Sequence, residues 1–216
     1  MQKLLSTNNP YGLTVATFST LFGFSGLEHG LFELLQGNVR PDGLLISAIG
    51  PAQRFWPHGT ETAFTIIPNM AVTGCIAMLF SFTVILWSLF GLRKKHAWLP
   101  LMALSIMQFL TGGGFAQIFL SVSISLVACR LNMPLPWWKK HISKRILAAI
   151  GACWIALYLL FIVLFICSIF MAVFGFPFGR TQPELTYNLM SISSYLMIAV
   201  FMLAIVAALS KQSLRE

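Results

Sequence analysis

The sequence predicts an all-α integral membrane protein, a bundle of six transmembrane helices with both termini cytoplasmic. Three observations carry that reading: an apolar composition, apolar stretches of span length, and a one-sided distribution of basic residues. Of 216 residues 57% are hydrophobic and only 9% charged, against roughly 25% charged in an ordinary soluble domain. The mean hydropathy is +0.82. We expect a single membrane domain over 1–216, in a plasma or inner membrane, with the lipid bilayer as its first partner.

A spanning helix needs about 20 apolar residues. Segments 13–36, 66–92, 146–174 and 188–209 supply that length directly. The first is too long for a signal-peptide core of ~7 to 15 residues and is expected to stay as an anchor. Pro68 is expected to open the second span or to kink it. Stretch 97–131 would run roughly 52 Å as one helix, too long for a ~30 Å hydrocarbon layer. The run Thr111-Gly112-Gly113-Gly114 makes a continuous helix costly and a tight reversal cheap. Two short spans are therefore expected, 96–112 and 114–131. The long loop 37–65 reads as a turn at Asn38–Gly43, an apolar strip, and an aromatic stretch around Phe55 and Trp56 that lies at headgroup level or folds back as a cap.

The basic residues fit this topology. Eleven fall on the inside (Lys3, Arg93, Lys94, Lys95, Arg130, Lys139, Lys140, Lys144, Arg145, Lys211, Arg215) and three on the outside (Arg40, Arg54, Arg180), as the positive-inside rule requires. The net charge of +8 is thereby assigned to anionic lipid, with Trp137-Trp138-Lys139-Lys140 as an interfacial anchor, and not to nucleic acid. The four cysteines lie in apolar segments without CxxC spacing and read as small core residues. His96 and His141 sit in basic connections, where a solvated ring is expected.

In the first span Ala16, Ser19, Gly23, Gly26, Gly30, Glu33 and Gly37 follow steps of three and four residues, a small-residue seam suited to close helix contact. A partner helix or a second copy of the chain is a candidate to dock there through Gly23, Gly26 and Gly30. The intramembrane polar residues concentrate in the outer half: Glu28, His29, Glu33, Gln36, Asn69, Gln108, Gln117 and Asn188 are the candidate ligand-binding set. Polar groups are costly in lipid and imply a water-accessible pocket.

Two chemistries suit that pocket. His29 and Glu33, at i and i+4, can hold one metal ion from a single helix face, and His58 and Glu61 in the outside loop can close over it. Imidazole with carboxylate favours zinc, iron or manganese over magnesium or calcium. Alternatively, Glu28, His29 and Glu33 act as acid and base in a membrane-embedded enzyme working on a lipid or amphiphile. The opposing structural account pairs these acids with Arg40, Arg54 or Arg180. The leading expectation is a small multi-pass protein that binds a small molecule or ion from the extracytoplasmic side, as a transporter or its binding subunit. An enzyme and a structural docking subunit are the alternatives.

Overall fold

A computed structural model describes residues 9–131 and 133–215; Lys3, counted above as cytoplasmic, lies outside the described residues. The chain is 70% helical. Its helices are α1 (Pro10–Leu35), α2 (Met70–Leu86, continued by a π turn at Trp87–Gly91), α3 (Trp98–Leu110), α4 (Gln117–Val127), α5 (Pro136–His141), α6 (Lys144–Ala152), α7 (Trp154–Phe174) and α8 (Pro183–Ser213). Three strands accompany them: β1 (Leu45–Ser47), β2 (Thr62–Thr65) and β3 (Thr111–Gly114).

Local chemistry sets the helix starts. The Asn9 side chain accepts from the Gly12 N–H at 2.9 Å ahead of Pro10, and Asn69 accepts from the Val72 N–H at 3.0 Å, each satisfying a first-turn donor. α1 lies at the centre, against α2, α4, α7, α8 and β3. Its Phe18 and Phe22 join Phe161 of α7 and Phe201 of α8 in a buried cluster with ring centroids 4.0 to 6.3 Å apart. Among the described residues three helices are long and apolar enough to cross a membrane: Met70–Gly91, Lys144–Phe174 and Pro183–Ser213. α1 has the length but carries Glu28, His29 and Glu33. Its neighbours enclose it, so these groups need not meet lipid.

Several expectations change. The all-α class holds, with one addition: β1, β2 and β3 form a small antiparallel sheet in that order, with Ile46 opposite Ala63 and Ala63 opposite Gly114. The glycine run is thus a strand instead of a tight turn, and β1 and β2 come from the loop 37–65. α3 and α4 have 13 and 11 residues, shorter than the 96–112 and 114–131 spans expected, because their facing ends give way to β3. Pro68 neither opens nor kinks α2; it precedes the capping Asn69, and the helix starts at Met70. Segment 146–174 stays one candidate span, Lys144–Phe174, but with a single-residue break at Cys153 between α6 and α7.

The small-residue seam is filled from within the chain. A Cβ on Gly30 would lie 2.8 Å from the Gly74 carbonyl oxygen of α2, and one on Gly23 would lie 3.0 Å from the Ser81 carbonyl oxygen. A Cβ on Gly26 would collide with the Gln108 amide and the Ser81 hydroxyl. α2 and α3 therefore take the place expected for a partner helix or a second copy at Gly23, Gly26 and Gly30.

Candidate metal centre

The site is built where the second half of α1 meets the sheet. Glu28, His29 and Glu33 lie on α1. Glu61 comes from the loop and directly precedes β2; its carbonyl accepts from the Ala48 N–H at 2.8 Å, which ties it to the end of β1. β2 in turn pairs with β3, and the Phe115 N–H donates to the Thr62 carbonyl at 2.9 Å. The sheet therefore carries the Glu61 carboxylate to His29.

Glycine makes this approach possible. A Cβ on Gly114 would lie 2.8 Å from His29 Nε2, and one on Gly112 would collide with the Glu33 carboxylate. Gly112 also has φ +115°, a backbone conformation that glycine alone adopts cheaply. β3 can lie directly on both side chains because it has none of its own there.

His29 and Glu33 are buried, at 3% and 0% exposure. His29 Nε2 contacts Glu61 Oε2 and lies 4.0 Å from Glu28 Oε2. One ligand atom from each of Glu28, His29 and Glu61 falls within 4.8 Å of the other two. Ligands bound to one zinc ion at ~2.0 to 2.2 Å stand roughly 3 to 3.6 Å apart in a tetrahedral shell, so an ion entering here would draw the Glu28 oxygen in and open the closer His29–Glu61 contact. His29 Nδ1 and both Glu33 oxygens make no hydrogen bond among the described residues. A carboxyl group so buried demands a cation or a proton.

The expected ligand set is therefore rearranged. His29 and Glu61 meet, but Glu28 joins them in place of Glu33, which sits one turn further along α1. His58 is turned away, its Nε2 2.9 Å from Glu184 Oε1 in an exposed pair. Glu28 projects about 100° from His29 on the helix, yet a ligand arriving between adjacent residues can be reached by both. No arginine pairs with Glu28 or Glu33 among the described residues.

The remaining candidates make structural contacts or stand exposed. Gln36 Nε2 donates to the Ala48 carbonyl at 2.6 Å and pins the loop to the end of α1. Asn69 caps α2. Gln108 Nε2 donates to the Phe22 carbonyl at 3.2 Å and the Ser81 hydroxyl at 3.0 Å, and Gln117 Nε2 donates to the same Phe22 carbonyl. These two amides hold α3 and α4 onto α1. Asn188 is exposed on α8. Of the two placements expected for the aromatic stretch, Trp56 takes the folded-back one: it is 3% exposed, and its Nε1 donates to the Ala172 carbonyl at 2.9 Å, so it fastens the loop to α7. Phe55 stays exposed. No family model, curated protein or solved structure matches the chain.

Proposed function

We propose that the protein is a six-span membrane protein with cytoplasmic termini that takes a transition-metal ion, zinc, iron or manganese, from the extracytoplasmic side, as a transporter or its binding subunit. The observation that carries this reading is the convergence of Glu28, His29 and Glu61 within 4.8 Å, close enough that small side-chain shifts would let them share one ion. An imidazole between two carboxylates favours a transition metal. Two further features support it. The described acids, Glu28, Glu33, Asp42, Glu61 and Glu184, all lie on α1's second half, its following loop or the start of α8, which raises the local concentration of cations. The site also sits where two short helices, α3 and α4, meet through non-helical backbone, an arrangement tolerated at membrane depth where the backbone is buried or lines a polar site.

Elemental analysis of the detergent-solubilised protein, purified without chelator, tests the reading. Near-stoichiometric metal is expected in the parent and in His58→Ala, and loss in His29→Ala and Glu61→Gln. Metal that survives both substitutions, or none in the parent, removes the proposal. Turnover of a lipid extract that His29→Ala abolishes would shift the reading to catalysis.

A further inference from the structure

The second polar feature of the molecule stands apart from the acidic cluster. A cavity of about 240 Å³ opens where the π turn ending α2, the turn 92–97 and the end of α4 meet. Arg93, Lys94, Lys95 and His96 form its polar wall, and Leu92, Ala128 and Leu131, all buried, line its base. No Asp or Glu occurs between Glu61 and Glu184 in the sequence. None of Arg93, Lys94 and Lys95 makes an ion pair among the described residues; Lys94 Nζ instead stands 5.3 Å from the centre of the Trp87 ring. Three exposed cations around a concavity, with no carboxylate paired to them among the described residues, make it attractive to an anion.

The surroundings decide what kind of anion. Phe90, Leu99 and Met133 beside the cavity are exposed, at 56%, 50% and 45%, and the helix running down from it, Met70–Gly91, is one of those long and apolar enough to cross a membrane. A soluble anion would gain nothing from that apolar flank, whereas an amphiphile would cover it. We infer that this cavity holds the phosphate of an anionic phospholipid, whose acyl chains lie along the exposed faces of α2 and α3. Basic pockets between membrane helices are suited to such headgroups, and each basic side chain near the surface contributes about 1 kcal/mol of attraction. The inference depends on the membrane embedding of α2 and is independent of the metal centre.

The test is thermal unfolding and native mass spectrometry of the full chain in a neutral detergent, titrated with phosphatidylglycerol, phosphatidylcholine or inorganic phosphate. Phosphatidylglycerol should raise the unfolding temperature saturably and be retained as a discrete adduct, while phosphatidylcholine does neither. The variant Arg93→Gln/Lys94→Gln/Lys95→Gln should bind it roughly a hundredfold more weakly, at about fivefold per charge, and Lys144→Gln/Arg145→Gln, exposed and outside the cavity, should bind it like the parent. Equal loss in both variants overturns the assignment in favour of general surface charge. Equal stabilisation by inorganic phosphate overturns it in favour of a soluble anion. Should the triple variant not fold, indifference of the parent between the two lipids is by itself sufficient to overturn it.

Discussion

Glycine at 114 lets His29 and Glu61 meet, and it makes the sharpest residue-level prediction. In Gly114→Ala the added methyl would press on His29 Nε2, which is the far end of a side chain that can swing aside. The protein should therefore fold, within about 1 kcal/mol of the parent, while bound metal falls at least tenfold by elemental analysis. Gly112→Ala should behave differently. It combines a collision with the buried Glu33 with φ +115°, so a stability loss of about 2 to 3 kcal/mol is expected in thermal or denaturant unfolding. Gly43→Ala is the control, because nothing lies within 4 Å of its added Cβ. Metal ions also compete with protons for imidazole and carboxylate. Occupancy at fixed metal concentration should fall as the pH is lowered; occupancy that is flat with pH would mean the metal is held elsewhere.

At the level of elements, the loop 37–65 and the α3–β3–α4 hairpin were the least legible parts of the chain. The long apolar helices announce themselves by length, and the close α1–α2 contact by its spacing of small residues. Apart from Thr111, Thr111–Gly114 has none of the β-branched or aromatic residues that signal a strand, and it is one only because β2 supplies its hydrogen bonds and α1 leaves no room for side chains above it. Glu28 was named among the candidates but left out of the expected metal set, because its place at the site depends on where Glu61 arrives, which is set by strand pairing between segments about 50 residues apart. Trp56 ought to control that arrival. Trp56→Ala removes a buried ring and its bond to the Ala172 carbonyl, which should cost about 3 to 5 kcal/mol if the loop does not repack. Limited proteolysis should then cut within 37–65 before it cuts elsewhere, and metal occupancy should drop although no ligand has changed. An unchanged cleavage pattern would show that the sheet holds the loop without Trp56.

For the whole molecule, the positive-inside count fixes less than it first suggests. Arg93–Lys95 and the basic residues from Arg130 to Arg145 flank the α3–α4 hairpin on the same side, whether its helices cross fully or only enter and return. At ~1.5 Å per residue α3 and α4 are roughly 20 and 17 Å long, short of the ~30 Å hydrocarbon layer, so β3 must complete the depth or remain beneath the outer surface. The charges are blind to this choice because they report only the sides on which the ends emerge. Single cysteines placed in a background with the four native cysteines replaced by alanine can report both sides and depth. In intact cells a membrane-impermeant maleimide should label Arg54→Cys and Arg180→Cys, and should leave Lys94→Cys, Lys140→Cys and Lys211→Cys unlabelled until the cells are opened. Labelling of Lys94→Cys in intact cells would reverse the proposed orientation and put the acidic cluster on the cytoplasmic face. Phe115→Cys, just beyond β3 and exposed, reads the depth: rapid labelling from outside would mean that the hairpin reaches the outer surface, and protection would mean that it stops within the bilayer, with the sheet above it as the cover of the metal site.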